Sequence, residues 1–308
     1  MPKENIIRIK TLTQLFDTLG WEKPTHPLIG IIDVTRLEEL PEEKKKAFEG
    51  VKMTSDLYSI ILKDGDCGMQ YGRNKYDFEE GVLRFIAPNQ IVSSSTHTPS
   101  SYGFMIVFHP DLLRNFDLGT NIGKYNFFDY AVHEALHLSK KEEDTLIEIT
   151  KNIEEELKSN IDKHTLEVVV TNLQLLLNYS KRFYDRQFIT RVNSNSDVIS
   201  KVEKLIKEYY NQSIQLVNGI PKPEYFAEKV NFSTNYLSDL LKKETGKSTK
   251  DHVDEYIIDL AKTKLLNSEY TVNEIAYDLG FNYPHYFSRI FKKKVGESPV
   301  QFRAKTFN

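Results

Sequence analysis

Thr271–Gly296 reads TVNEIAYDLGFNYPHYFSRIFKKKVG, and the stretch Ala227–Gly246, AEKVNFSTNYLSDLLKKETG, says nearly the same thing. Ala276-x-x-Leu279-Gly280-Phe281 repeats Ala227-x-x-Val230-Asn231-Phe232, and Phe287-Ser288-Arg289-Ile290-Phe291-Lys292-Lys293 repeats Leu237-Ser238-Asp239-Leu240-Leu241-Lys242-Lys243. The offset is 49 up to the Phe and 50 after it, so the second copy carries one extra residue. Each copy predicts a short helix closed by Asn231 or Gly280, residue types that tolerate a left-handed C-cap. A Phe fills the corner, and Ser233 or Asn282 is placed to cap a second helix. Thr271 and Glu274 have capping-box spacing for the first helix of the second copy. Leu237, Leu240 and Leu241, or Phe287, Ile290 and Phe291, line one side of the second helix, which Gly246 or Gly296 ends. The unit is a helix-turn-helix, written twice.

The polar side of each second helix carries the chemistry. It holds Ser233, Asn235, Ser238 and Asp239 in the first copy, and Pro284, His285, Ser288 and Arg289 in the second. A DNA major groove about 12 Å wide admits one α-helix, whose N-terminal side chains reach base edges. Lys242, Lys243, Lys292 and Lys293, later in the helices, have the reach to meet phosphates. Residues 249–267, with Tyr256, Ile257, Ile258, Leu260, Leu265 and Leu266, predict a connecting helix that sets the spacing. Two such readers on one side of a duplex should lie about 34 Å apart. The same patterns would also serve an all-helical packing unit with solvated lysines.

Residues 220–303 resemble the DNA-binding domain of AraC/XylS-type transcriptional regulators. The resemblance rests on the Ser233–Ser248 string, Val272-Asn-Glu-Ile-Ala…Gly280-Phe281, Tyr286-Phe-Ser-Arg-Ile-Phe-Lys292 and Gly296-Glu-Ser-Pro299-Val-Gln-Phe-Arg303. It implies a seven-helix domain whose base-contact positions fall on Asn235, Ser238, Asp239, Pro284, His285, Ser288 and Arg289. Asp239 departs from the pattern, since basic or amide side chains are common there, and an acid accepts from cytosine N4 while repelling phosphate. The resemblance further implies an N-terminal cupin-like half that binds a small effector and dimerises.

The remaining sequence is consistent with that arrangement. With 308 residues, about two domains are expected. Forty per cent of the residues are apolar and 28 % charged, which marks a globular chain. The balance of 41 Lys+Arg against 44 Asp+Glu argues against a generic, histone-like DNA binder. Residues 197–308, however, hold 17 basic and 15 acidic side chains, and residues 285–305 hold six basic and one acidic. No apolar run approaches a membrane span and no secretory leader is evident. The single Cys67 excludes an internal disulfide framework. The expected location is the cytoplasm.

Residues 51–110 read as short strands: DLYSIILKD before the turn KDGDCG, then Met69–Gly72, Val82–Ala87 and Phe104–Phe108. Helices follow from about residue 126, one opened by the capping box Ser139/Glu142 and one over Thr165–Phe188. The apolar stripe Leu166, Val169, Val170, Leu173, Leu176, Leu177 suits either packing on the strands or a dimer seam. The expected fold class is therefore α+β and multi-domain. A cupin-like β-barrel with trailing helices occupies 1–190 (barrel about 25–125, helices about 126–190). Residues 191–200 form a polar linker, and 201–308 an all-α domain with two helix-turn-helix units.

Tyr58, Ile60, Leu62, Met69, Tyr71, Phe85 and Phe104, with the polar tips Arg73, Arg84 and His109, form a candidate lining for an effector pocket; a filled core is the alternative. His133-Glu134-Ala135-Leu136-His137 matches H-E-x-x-H, the zinc-hydrolase spacing when helical. His97 and His109 raise a metal cupin. Neither pattern brings a third ligand, so no catalytic residue, metal or cofactor is expected. The chain reads as a regulator and not an enzyme. Its expected partners are double-stranded promoter DNA, a small-molecule effector, RNA polymerase and a second copy of the chain. A metal-dependent enzyme fused to a DNA-binding domain and a ligand-independent dimeric DNA-binding protein are the competing classes.

Overall fold

A computed structural model describes residues 6–48, 51–64, 81–93, 102–131, 134–159, 162–190, 192–267 and 270–306. The chain divides into two compact units, Met1–Gln187 and Phe188–Asn308.

The N-terminal unit holds eight strands among its described residues: β1 (Ile7–Ile9), β2 (Ile29–Asp33), β3 (Lys52–Ser55), β4 (Tyr58–Lys63), β5 (Gly81–Ile86), β6 (Ile91–Ser93), β7 (Gly103–Phe108) and β8 (Leu136–Leu138). They make a five-stranded sheet in the order β2-β7-β4-β5-β8 and a three-stranded sheet β1-β3-β6. The five-stranded sheet is antiparallel throughout, with Ile60 opposite both Phe85 and Ile106. Among the described residues the strands do not close into the expected barrel: β2 and β8 stand at the two edges of the five-stranded sheet. Its helices are α1 (Leu12–Leu19), the short α2 (Thr35–Glu38), α3 (Glu42–Phe48) and α4 (Asp117–Asn121), then α5 (Lys140–Lys158) and α6 (Thr165–Thr190).

Strand alternation explains the packing. Ile60, Leu62, Leu83, Phe85, Phe104, Ile106 and Phe108 share one buried face. Phe127 lies 4.3 Å from the ring of Phe85 on that side, and Phe128 5.3 Å. On the opposite face, Ile32 and Val107 pack with Leu12 and Phe16 of α1 and with Leu57. The Ser139/Glu142 capping box forms at the start of α5. In α6, Val169, Val170, Leu173, Leu176 and Leu177 of the stripe are buried within the chain and Leu166 is half-buried, while Val168 and Leu175 of the same helix are exposed.

In the C-terminal unit, α7 (Val192–Asn211) starts where a linker was expected: residues 192–200 are helical. Along that helix Val198 and Ile199 are half-buried against the core, and Val202, Ile206, Tyr209 and Tyr210 lie in it. The other helices are α8 (Gln215–Asn218), α9 (Pro223–Val230), α10 (Thr234–Thr245), α11 (Thr249–Asn267), α12 (Val272–Asp278), α13 (Pro284–Val295) and α14 (Pro299–Thr306). One apolar core contains Leu237 and Leu241 of α10, Phe287 and Phe291 of α13, and Val253, Ile257, Ile258, Ala261 and Leu265 of α11. The connecting helix thus packs into the same core as both repeats.

Candidate nucleic-acid interface

Both corners close with the same hydrogen bond. Phe232 N–H donates to the Ala227 carbonyl at 2.9 Å, and Phe281 N–H to the Ala276 carbonyl at 3.0 Å. Asn231 (φ 61°) and Gly280 (φ 90°) supply the left-handed turn. At Gly280 a Cβ would meet the Gly219 carbonyl carbon at 3.0 Å and the Ile220 nitrogen at 3.1 Å, so the corner excludes a side chain as well as requiring positive φ. The Thr271/Glu274 capping box opens α12, with Thr271 N–H 2.7 Å from Glu274 Oε2.

The two second helices start differently. Ser233 Oγ accepts from Tyr236 N–H at 3.3 Å, so Ser233 acts as the N-cap of α10. In α13 the inserted residue puts Tyr283 at the N-cap and Pro284 in the first turn, with no side-chain cap. Asn282 therefore does not cap the helix as the spacing had suggested. Proline tolerates that position because its missing N–H would have had no helical acceptor.

On α13, Phe287 and Phe291 are buried while His285, Arg289, Lys292 and Lys293 are exposed and Pro284 and Ser288 half-buried. At 100° per residue His285, Arg289, Lys292 and Lys293 fall on the side away from the two phenylalanines, and Pro284 and Ser288 border that buried ridge. Lys294 behaves differently from its neighbours, since its Nζ lies 3.2 Å from Asp251 Oδ1. On α10, Lys242 and Lys243 are exposed, and Asn235, Ser238 and Asp239 are half-buried. The structure thus places the sequence-predicted residues of each copy on the polar side of a second helix, with the second copy the more open.

Several supporting residues carried no sequence signal. Tyr210 Oη donates to the Leu279 carbonyl at 3.4 Å, and Gln215 Nε2 to the Asp278 carbonyl at 3.1 Å. These bonds satisfy carbonyls at the end of α12, which a helix terminus leaves without internal partners. Lys264 Nζ reaches Asp278 Oδ2 at 2.7 Å, linking α11 to α12. Burial pushes the Tyr210 phenol well above its ordinary value, so it acts as a neutral donor. Two exposed aromatics, Tyr283 (65 % exposed) and Tyr286 (48 %), join the polar face of α13. The Arg289 guanidinium carbon lies 4.4 Å from the centre of the Tyr286 ring; the i, i+3 spacing is the signal that could have found this pair.

The effector-pocket candidates are not gathered in the same way. Tyr58 and Phe104 share the buried face of the sheet, with Tyr58 stacked on Phe108 at 5.1 Å. Arg84 pairs with Ile61 and so lies on the opposite face. His109 Nδ1 accepts from Asp111 N–H at 3.2 Å, capping a short 3-10 turn, and its ring serves that turn. Tyr71, Arg73, Met69 and the turn with Cys67 lie outside the described residues, as does His97. The H-E-x-x-H spacing does not become a helix face. His137 lies on β8, paired with Val82, and buried Glu134 accepts from Ala131 N–H; His133 lies outside the described residues. Among the described residues no group of three or more His, Cys, Asp or Glu is placed to hold a metal. None of the described helices is long and apolar enough to cross a membrane.

A family model, Helix-turn-helix domain (HTH_18), matches residues 226–305. An uncharacterized HTH-type transcriptional regulator, YfiF of Bacillus subtilis, is 28 % identical over 137 residues, 44 % of this chain and 40 % of that protein. The HTH-type transcriptional activator RhaR of Enterobacter sp. (strain 638) is 26 % identical over 200 residues, 64 % of this chain and 67 % of that protein. Among solved structures, the C-terminal domain of the two-component response regulator yesN from Fusobacterium nucleatum is 30 % identical, with 35 % of this chain and 98 % of that one covered and a TM-score of 0.31. The match places a helix-turn-helix domain of the AraC type at residues 226–305 of the C-terminal unit. The match spans about two fifths of the length of YfiF.

Proposed function

We propose that the chain is a sequence-specific DNA-binding transcriptional regulator that acts in the cytoplasm. In this reading α13 enters the major groove, with Pro284, His285, Ser288 and Arg289 toward base edges and Lys292 and Lys293 toward phosphates. The matching helix α10 offers Asn235, Ser238, Asp239, Lys242 and Lys243 to an adjacent groove. Ser233 sets the start of that helix through its cap. The observation that carries the reading is the exposed half of α13 opposite a wholly buried Phe287/Phe291 ridge. Solvated lysines suit any surface helix; what favours a groove reader is that they recur with Arg289 on the second helix of a matched helix-turn-helix pair. In this reading Asp239 makes the first reader either weaker, through repulsion of phosphate, or selective for cytosine, whose amine a carboxylate accepts from.

The N-terminal unit is assigned the regulatory input, through a small-molecule effector that shifts the population of DNA-competent arrangements. A homodimer and contact with RNA polymerase complete the proposal. Selection of bound duplexes from a random DNA pool tests the function. Enrichment of a defined motif spanning two successive major grooves is the expected result. Recovery of unenriched DNA, or of none, contradicts it.

A further inference from the structure

Tyr236 and Tyr286 occupy the same place in the two repeats, fifty residues apart. Their surroundings are opposite. Tyr236 is 2 % exposed, its ring 5.0 Å from Phe232. Tyr286 is 48 % exposed, and the residue three positions on, Arg289, covers its ring at 4.4 Å. In the first repeat that later position is Asp239, which has no cation to offer an aromatic face. Tyr236 is covered by the rings of Phe232 and Phe188, the latter at 5.1 Å, whereas Tyr286 stays half-exposed with the Arg289 guanidinium over its ring.

We infer that Tyr286 is a positioning residue for base recognition: it holds the Arg289 guanidinium flat against its ring, with the hydrogen-bonding edge directed outward. Stacking uses the face of the guanidinium, whereas bidentate recognition of guanine O6 and N7 uses its edge, so one does not compete with the other. A free arginine side chain loses rotamer freedom when it docks on a base; one already held against a ring loses less. The base read by this pair is a guanine. The inference rests on the assignment of α13 as a base-reading helix.

The test uses the full-length chain, the duplex recovered from the random pool, and duplexes altered one base pair at a time. Tyr286→Leu removes the aromatic face, Tyr286→Phe keeps it, and Arg289→Ala removes the cation. Tyr286→Leu is expected to weaken cognate binding by about 2- to 5-fold, the range of a partly exposed cation–π contact. It should flatten preference at the same guanine as Arg289→Ala, leave the salt dependence unchanged, and add nothing when combined with Arg289→Ala. Tyr286→Phe should restore both affinity and preference. Because the ring lies on the surface, thermal unfolding should be the same for all three proteins. If Arg289→Ala abolishes the preference while Tyr286→Leu retains it, the positioning role is overturned and the reader assignment stands. Phe behaving like Leu, or additive losses in the double variant, also overturns the positioning role. Should Arg289→Ala itself leave the preference intact, both assignments fall.

Discussion

Arg303 donates its Nε–H to the backbone carbonyl of Leu265 at 2.9 Å. A second donation, from Nη2 to the Tyr270 carbonyl at 2.8 Å, ties α14 also to the segment just before α12. The arginine that closes the family-like string Gly296-x-Ser-Pro-x-x-x-Arg303 is therefore a structural brace. Charged hydrogen bonds of this kind contribute about 1.5–3 kcal/mol each, with the lower end applying to partly exposed groups. Arg303→Ala is expected to lower unfolding free energy by about 1.5–3 kcal/mol in urea titration. Base preference should be unaltered at a temperature where the variant stays folded.

Gly280 and Gly246 both have positive φ, yet their surroundings differ. Placing an L-residue in left-handed backbone costs about 1–2 kcal/mol. At Gly246 nothing lies within 4 Å of a new Cβ, so Gly246→Ala should cost that amount and little more. At Gly280 the backbone of Gly219 and Ile220 blocks the same atom, so Gly280→Ala should cost clearly more. Paired urea titrations check the ranking; equal losses would show that the corner is not tight.

Asp251 makes stability depend on pH in a defined direction. Its carboxylate accepts from Ser248 Oγ at 2.7 Å and pairs with Lys294 at 3.2 Å, joining the start of α11 to α13. The Ser248 bond, followed by Lys294, brings its pKa from 3.8 down to about 2. A depressed folded-state pKa means stability that is present above the unfolded value and lost as pH falls through the folded one. Asp251→Asn should therefore be less stable than the parent near pH 6. The gap should close as pH falls from about 4 towards 2. Unfolding midpoints of both proteins across that range measure it.

How much of this was legible in the sequence varied with the range of the interactions. Corner, caps and buried ridge are local: Asn231, Gly280, Thr271/Glu274 and the Phe287/Phe291 spacing each specify their own geometry within a few residues. The inserted residue before Pro284 was visible, but its consequence was not. Whether it shifts the cap from Asn282 to Tyr283 depends on where the Gly280 turn sends the chain. Long-range features were hidden. Nothing in Tyr210 or Gln215 announces that they bond to carbonyls of α12 more than sixty residues away. In the N-terminal unit the strand alternation in Tyr58–Lys63 and Phe104–Phe108 was readable, because one face is apolar. Whether the sheet closes was not, because that depends on pairing between its edge strands, and among the described residues β2 and β8 remain unpaired to each other. The polar run at 192–200 is helical, which composition alone does not reveal, because a helix and a linker can share the same polar residues.

The central claim, that the exposed half of α13 reads DNA, is tested most directly by salt-dependent titration of the selected duplex with the parent chain, Arg289→Ala and Lys292→Ala. Arg289→Ala should cost about 1–3 kcal/mol on that duplex and lose discrimination at one base pair. Lys292→Ala should weaken all duplexes alike and reduce the slope of log affinity against log salt by about 1. Parent-like binding by both variants, or an Arg289→Ala loss that is equal on selected and random DNA, would contradict the account.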